Sequence, residues 1–336
     1  MEELKTMVEG IRKQIKYSII IPLAPGRKAE IIQHIKKQII ISKKCYEILI
    51  IPGTNVPNNR NEGIKKARGK YIVFLDDDAY IEETYLWYLD NFLIANPNVD
   101  VCGGPQLTPP DDTYFARMSG DVLSSNMVMP GVSRRYKGCP DTLEADSSYI
   151  SGANLIIKRS IFKDKEMFFD EDIYPADDVN FVEKAREKGL IVGYSPEFSI
   201  YHRRRPTAAG LYKQIFDYGA AGAKHNVRKG LNKYVFLIPM FFVLYLFSLP
   251  IWAILISRGI FLDPPLLLLY PLPLILYILM GIALGFRNEE TNIIFCPIMF
   301  LVHFAYGMGA LSVYIEKIKP LQLFKELFKD IRDHLS

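Results

Sequence analysis

The sequence contains few cysteines, and they lie far apart from one another. They form no Cys-x-x-Cys pair and stand at Cys45, Cys102, Cys139 and Cys296. Structural zinc sites usually need closely spaced cysteine or histidine pairs, and disulfide frameworks are typical of small proteins in oxidising compartments. We therefore expect neither a zinc site nor a disulfide framework, and the scattered cysteines favour a reducing compartment.

The N-terminal segment also lacks the apolar core of a signal peptide. Charged residues interrupt residues 1–16 throughout, so we expect no cleavable signal sequence there. The chain has no internal repeat and no low-complexity stretch. Its formal net charge of +4 is modest, and neither an aromatic-interleaved basic motif nor a zinc module accompanies it. We therefore expect no nucleic-acid partner.

Charge is missing from three long runs near the C-terminal end, at residues 234–256, 264–286 and 293–315. A helix needs about 20 apolar residues to cross a hydrocarbon core of ~30 Å, and each run has roughly that length. We predict three transmembrane helices; the alternative is a buried helical domain. Four prolines could instead make the second run a re-entrant hairpin: Pro264, Pro265, Pro271 and Pro273.

Positive charge is concentrated just before the first of these runs, at Arg203, Arg204, Arg205, Lys213, Lys224, Arg228, Lys229 and Lys233. Basic residues flank membrane segments on the cytoplasmic side and attract anionic lipid headgroups. We therefore predict a cytosolic domain over residues 1–230 and a multi-pass membrane region over residues 231–316. Residues 317–336 are amphipathic and predict an interfacial helix, whose lysines favour the cytoplasm.

The first half of the chain alternates short apolar runs with helix-like segments. The apolar runs fall at residues 18–21, 47–51, 71–75 and 99–102, and helices are expected near residues 28–40 and 59–68. Continuous apolar runs between helices indicate parallel strands covered on both faces, and thus an open α/β sheet. Residues 106–145 are expected to be loop-rich. Beyond them we expect a strand near 149–158, a helix over 177–188 and short strands at 190–194 and 198–201.

Three consecutive aspartates, Asp76, Asp77 and Asp78, directly follow the third apolar run. Neighbouring carboxylates repel one another unless a cation lies between them, and Mg²⁺ or Mn²⁺ prefers oxygen ligands that it shares with substrate phosphates. In an open α/β sheet, ligands bind beyond the carboxyl ends of the strands. We interpret Asp76 and Asp78 as the functional pair and Asp77 as a spacer. The alternative is a solvated acidic turn or a helix N-cap.

A second acidic pair, Asp177-Asp178, begins the predicted helix over 177–188. One of the two could cap that helix, but a cap needs only one aspartate. A carboxylate among other carboxylates has a raised pKa, which suits a general base. His202 ends a predicted strand beside three arginines that could meet a diphosphate. A purely structural histidine is the alternative.

Taken in order, these motifs resemble the family 2 glycosyltransferases of the GT-A fold, over residues 17–229. The resemblance rests on Ser18-Ile19-Ile20-Ile21-Pro22, Arg60-Asn61-Glu62-Gly63-Ile64, Ala67-Arg68-Gly69, Phe74-Leu75-Asp76-Asp77-Asp78, Ser151-Gly152-Ala153-Asn154, Asp177-Asp178-Val179 and Tyr201-His202. Residues 214–219 and 303–309 are similar to the membrane-bound exopolysaccharide and lipid-linked-saccharide branch. The family implies an α/β fold, the Rossmann-like open mixed sheet of nucleotide-diphospho-sugar transferases, followed here by C-terminal transmembrane helices.

The resemblance also implies roles for individual residues. Asp78, with Asp76 and His202, would hold Mg²⁺ or Mn²⁺, and Asp178 beside Asp177 would be the catalytic base. The donor, a UDP- or GDP-linked sugar, would be contacted by Pro22, Arg60, Asn61, Asp76, Gly152, Asn154 and Arg203. The implied reaction is an inverting transfer of a hexosyl group. Because an ionised lipid phosphate needs no base, the acidic pair favours a hydroxyl acceptor, such as a lipid-linked saccharide.

Some positions depart from the family pattern. The turn after the first strand reads Leu23-Ala24-Pro25-Gly26, and Pro52-Gly53-Thr54-Asn55 stands where an acidic residue is usual, so the nucleotide stays open. The processive-synthase Gln-x-x-Arg-Trp signature is absent, which argues against a long-polymer synthase. The alternatives are a polyprenyl-phosphate sugar synthase and a haloacid-dehalogenase-type phosphatase. A transporter is disfavoured, because the membrane runs contain almost no ionisable residue.

Overall fold

The computed structural model describes residues 15–39, 45–229, 237–259, 269–286 and 294–316. The chain divides after Arg204 into two compact units. The first unit contains all the strands within these ranges, and the second is helical. Residues 208–229 form a helix of the second unit.

The first unit alternates strands and helices. Its strands are β1 (Tyr17–Leu23), β2 (Tyr46–Pro52), β3 (Tyr71–Leu75), β4 (Ala79–Tyr80), β5 (Val101–Gly103), β6 (Gln106–Leu107), β7 (Asn154–Lys158), β8 (Val192–Tyr194) and β9 (Ile200–His202). Its α-helices are α1 (Ile31–Ile35), α2 (Val56–Lys66), α3 (Tyr85–Ala95), α4 (Tyr114–Ser124) and α5 (Asp177–Glu187). Short 3₁₀ helices cover Val132–Arg135, Arg159–Lys163 and Lys165–Met167.

The main sheet is mixed, with strand order β2-β1-β3-β7-β5-β8. β1 pairs in parallel with β2 and β3, and β5 pairs in parallel with β8. β7 runs antiparallel to both of its neighbours, β3 and β5. The α/β class and the mixed sheet are therefore confirmed. The four runs predicted as parallel strands, now β1, β2, β3 and β5, point in one direction, and the antiparallel strand β7, for which no direction was predicted, lies between β3 and β5.

Different helices cover the two faces of this sheet. Ile19 and Ile21 of β1 pack into one core with α1 and α3, whereas Ile20 packs into a second core with α2 and α5. Successive residues of a strand point to opposite faces, so one strand contributes to both cores. All five residues of β3 are buried, so the strand that leads into the aspartates is held rigidly within the sheet.

A small second sheet extends beyond the end of β3, with strand order β4-β9-β6. β4 pairs antiparallel with β9, and this pairing places Ala79 opposite His202. β6 lies parallel to β9 on the other side. The chain therefore brings a residue from position 202 to the aspartates at positions 76–78, which no local sequence pattern encodes.

Two helix expectations need correction. The segment predicted as a helix over 28–40 contains only the short α1; residue 40 lies outside the described residues. The helix stops because Gln38 turns inward, where it accepts from Leu86 N–H at 2.9 Å and donates to Glu82 O at 2.7 Å. The loop-rich reading of 106–145 missed α4, whose N-cap Thr113 accepts from the Ala116 N–H at 3.3 Å.

The second unit contains four helices within the described ranges, α6 (Ala208–Lys229), α7 (Ile238–Ser257), α8 (Leu272–Gly285) and α9 (Phe295–Glu316). By length and composition, α7 and α9 could cross a membrane, and α8 is a shorter apolar helix of 14 residues. The beginnings of the three predicted membrane runs (234–236, 264–268 and 293) and the predicted interfacial tail (317–336) lie outside the described residues.

Glycines allow α6 and α9 to approach through their backbones. A Cβ atom on Gly309 would lie 2.0 Å from Phe216 O, and one on Gly219 would lie 2.1 Å from Tyr306 O. Small residues at such crossings permit close helix contact. Between α8 and α9, the Tyr277 hydroxyl and His303 Nδ1 form a hydrogen bond of 2.8 Å. The unit thus combines backbone packing with a polar contact between apolar helices.

We expect Gly309→Ala to lower the free energy of unfolding by about 1–3 kcal/mol, because the added methyl group must force α6 away from α9. The measurement is thermal or chemical denaturation of the full chain in detergent. Gly138→Ala is the matched control, since a Cβ there would lie 3.5 Å from Pro196 Cβ, an ordinary contact distance. Equal stability of the two variants would contradict the close helix crossing.

Candidate active site

Asp76, Asp78 and His202 lie together beyond the carboxyl end of β3. One ligand atom from each lies within 4.8 Å of the other two. His202 Nε2 is 3.2 Å from Asp78 Oδ1 and 3.5 Å from Asp76 Oδ2. The structure therefore brings together the three residues that the sequence predicted as metal ligands, through the pairing of β4 with β9.

The electrostatics of this group depend on contacts between the acids and the imidazole. Burial acts to lower the pKa of His202, but hydrogen bonds with Asp76 and Asp78 outweigh it and raise the pKa to about 9. Burial acts to raise the pKa of Asp78, yet its contacts with His202 and Arg27 hold that pKa well below its usual range. A proton and a metal ion would compete for the same His202 nitrogen.

The donor set fits a divalent cation. Two carboxylates and one imidazole supply oxygen and nitrogen ligands, which Mn²⁺ accepts and which leave coordination positions for phosphate oxygens. The three side chains are half-buried, so a ligand can reach them. Among the described residues, this is the one group of three such side chains close enough to share an ion.

The middle aspartate, Asp77, has a different environment. It is 5% exposed, and burial is the main reason that its pKa is raised. Arg27 Nε lies 2.9 Å from Asp77 Oδ2, as an ion pair without hydrogen-bond alignment, and Arg27 Nη2 donates to Asp78 Oδ2 at 2.6 Å. No sequence pattern marks Arg27, because only the conformation of the turn after β1 brings it to the aspartates.

Asp178 lies in the first turn of α5, where several donors hold it. Its Oδ2 accepts from Gly152 N–H at 2.8 Å and lies 3.4 Å from Arg135 Nη1. Its Oδ1 accepts from Val179 N–H at 2.8 Å. The side chain is therefore fixed against the loop that contains Gly152, with Arg135 as a neighbouring positive charge. Arg135 was also missed, because it belongs to the region read as loop.

Asp177 points into a buried ion pair with Arg60. The Arg60 guanidinium lies 5.8 Å from the Phe74 ring centroid and 5.5 Å from that of Phe169. Burial raises the pKa of Asp177 to about 6, against the lowering effect of Arg60. A Cβ on Gly152 would lie 2.3 Å from Arg60 Nη2, so a glycine is needed there. Arg60 is thus buried among Asp177, Gly152 and two aromatic rings, and its Nε has no hydrogen-bond partner among the described residues.

Two amides predicted as donor contacts are used within the fold. Asn61 donates to Phe169 O at 2.9 Å and accepts from the Phe169 N–H at 2.9 Å. Asn154 is fully buried, donates to Phe198 O at 2.8 Å and accepts from the Tyr85 hydroxyl at 2.6 Å. These contacts position the segments around the site.

Pro22 and Arg203 are not members of the three-residue group. Pro22 is buried at the end of β1, in register with Ile51 of β2. Arg203 is exposed, and its Nη2 donates to Asp111 Oδ2 at 2.7 Å. The roles of these residues in donor binding stay predictions.

Comparison with known proteins gives a family match and a fold match. The family model described as glycosyl transferase family group 2 matches residues 71–311. The poly(ribitol-phosphate) beta-glucosyltransferase of Bacillus spizizenii is 25% identical over 167 residues, which are 48% of this chain. The chain spans about a quarter of that relative, 24% of its length.

Solved structures are similar at lower identity. The mannosyltransferase PcManGT from Pyrobaculum calidifontis, in complex with GDP-Man and Mn²⁺, has a TM-score of 0.52 at 15% identity, with 90% of this chain and 88% of that chain covered. S. aureus TarS 1–349, in complex with UDP, has a TM-score of 0.43 at 14% identity, with 89% and 91% covered. The first of these supports the GT-A type of fold.

Proposed function

Because the chain belongs to the family 2 glycosyltransferases, we propose that it transfers a hexosyl group from a nucleotide sugar to a hydroxyl acceptor, with metal assistance and inversion at the anomeric carbon. The convergence of Asp76, Asp78 and His202 beyond the end of β3 is the observation that carries this proposal. The haloacid-dehalogenase-type alternative has no support once the family is assigned.

The three converging side chains would hold Mg²⁺ or Mn²⁺. When bound, such an ion neutralises the charge that develops on a leaving diphosphate. Asp78 and His202 are the central ligands in this proposal, and Asp76 either completes the set or contacts the ribose. The mannosyltransferase named above was solved with GDP-Man and Mn²⁺, which supports the choice of ligand class but leaves the nucleotide open.

Asp178 is proposed as the general base. As the acceptor oxygen bonds to the anomeric carbon, its proton passes to the Asp178 carboxylate and the bond from sugar to diphosphate breaks. Gly152 N–H and Arg135 hold the carboxylate in place. Asp177 forms an ion pair with Arg60. We therefore propose that Asp177 positions α5 and Arg60 and does not transfer a proton itself.

We propose that the acceptor is a saccharide hydroxyl, on a lipid-linked or polymeric molecule, and that the enzyme works at the cytoplasmic face of a membrane in polysaccharide synthesis. Two properties of the second unit support a membrane location. Helices α7 and α8 expose large apolar side chains, among them Phe241, Phe247, Ile251, Leu276 and Leu279. The basic residues that precede α7 in the sequence favour the cytoplasmic side.

The proposal predicts metal-dependent release of a nucleoside diphosphate from one class of sugar nucleotide. The purified full chain is incubated with UDP- and GDP-sugars, Mn²⁺ and mixed saccharide acceptors, and released UDP or GDP is measured. We expect EDTA to reduce release at least about 100-fold and Mn²⁺ to restore it, because the ion stabilises the leaving group. Undiminished release in EDTA would contradict metal dependence, and release from no donor would contradict sugar transfer.

A further inference from the structure

Arg27 is fixed against the aspartate run from the turn that follows β1. Its Nη2 donates to Asp78 Oδ2 at 2.6 Å, and its Nε lies 2.9 Å from Asp77 Oδ2. The start of α1, which follows this turn, is anchored to the same run, since Ile31 N–H donates to Asp77 O at 3.3 Å. Gly26 has φ +79°, which a glycine adopts without strain and which directs the chain into this position.

Arg27 and a metal ion can use Asp78 at the same time. Asp78 Oδ1 faces His202 Nε2 at 3.2 Å, whereas Oδ2 faces Arg27. An ion held by Asp76, Asp78 and His202 therefore needs the Oδ1 side, and the guanidinium keeps the Oδ2 side. Arg27 is positioned beside such an ion without blocking it.

The Arg27 side chain is 45% exposed, and no described residue accepts a hydrogen bond from its Nη1. The other arginines around the site have different partners. Arg60 pairs with Asp177, Arg203 pairs with Asp111, and Arg135 donates to Ser147 O. Arg27 is thus an exposed guanidinium that donates directly to one of the candidate metal ligands, Asp78, and has one nitrogen available.

We propose that Arg27 binds the diphosphate of the donor, donating from Nη1 to a phosphate oxygen while it retains Asp78. A planar guanidinium can donate hydrogen bonds to a carboxylate and a phosphate at the same time, and the single ammonium of a lysine is less suited to bind both. This assignment rests on the proposed sugar-nucleotide function. It gives the turn Leu23-Ala24-Pro25-Gly26, which departs from the family pattern, a role in placing a donor-binding side chain.

The test compares nucleoside diphosphates with nucleosides. Binding of GDP, UDP, guanosine and uridine to the full chain is measured by calorimetry in the presence of Mn²⁺. For the nucleoside diphosphate that wild type binds, we expect Arg27→Gln to weaken affinity by about tenfold or more. Affinity for the matching nucleoside should change by less than about twofold, because the proposed contact is to phosphate alone. If Arg27 has only a structural role, the substitution will weaken the binding of both ligands to the same extent. That result would overturn the proposal.

Two further variants complete the test. Arg68→Gln is the matched control, because Arg68 forms an ion pair with Glu47 near the opposite ends of β1 and β2; its diphosphate affinity should equal that of wild type. Arg27→Lys keeps the positive charge against the aspartates if Arg27→Gln fails to fold, and it should bind the diphosphate several-fold more weakly through loss of the second donor. Unchanged diphosphate affinity in both Arg27 variants overturns the assignment of Arg27 alone. Failure of wild type to bind either diphosphate overturns the proposed function as well.

Discussion

Asp178→Asn is expected to lower kcat at least about 100-fold while affinity for the donor nucleotide stays within about twofold, since general-base catalysis typically contributes 10²–10⁴-fold. The asparagine has nearly the same shape. Its carbonyl oxygen can still accept from Gly152 N–H, which now lies 2.8 Å from Asp178 Oδ2. The variant removes the capacity to take a proton and keeps the contact that positions the loop. Steady-state kinetics and nucleotide calorimetry on the same preparation measure both effects.

Asp141→Asn provides the control for this variant, because Asp141 is an exposed aspartate that undergoes the same chemical change. It should retain the kcat of wild type. If Asp178→Asn turned over normally, the base assignment would be wrong. That outcome would also favour an acceptor that is already ionised, such as a polyprenyl phosphate, since such an acceptor needs no base.

The sequence predicted the centre of the site better than its surroundings. A buried apolar run followed by Asp76-Asp77-Asp78 predicts both a strand and the point where it ends. The local sequence is therefore enough to place the three acids at the end of that strand. The meeting of His202 with those acids depends on the pairing of β4 with β9, short strands of two and three residues. Such short strands give almost no periodic signal in the sequence. The prediction that His202 lies beside the aspartates therefore depended on the resemblance to a known family.

Polar residues near the site show a second limit of sequence reasoning. Asn61 and Asn154 stand in motifs where a donor contact is a reasonable expectation, yet their amides bond to the backbone of Phe169 and Phe198. An amide has the same donors and acceptors whether its partner is a ligand or a buried peptide group. The sequence identifies the segment, and only the fold decides whether the side chain faces the ligand or supports it. Arg27 illustrates the converse case, because it has no motif and still contacts two of the acids.

Asp78→Asn is expected to weaken Mn²⁺ binding at least about 100-fold and to reduce nucleoside diphosphate release in proportion, because even outer-shell partners of metal ligands contribute 10–100-fold to affinity. Asp78 connects the two cationic neighbours of the site, with Oδ1 3.2 Å from His202 Nε2 and Oδ2 2.6 Å from Arg27 Nη2. An amide in its place is neutral and a weaker ligand for a hard ion. Mn²⁺ titration followed by calorimetry or electron paramagnetic resonance measures the affinity without any turnover.

Asp77→Asn is the matched comparison within the same run, because Asp77 is buried and lies outside the three-residue group. Loss of its charge removes an electrostatic contribution to Mn²⁺ binding but no ligand atom, so affinity should fall by no more than about fivefold. Equal loss of Mn²⁺ affinity in the two variants would mean that the ion responds to the total charge of the run. The assignment of Asp78 as a ligand and Asp77 as a spacer would then be wrong.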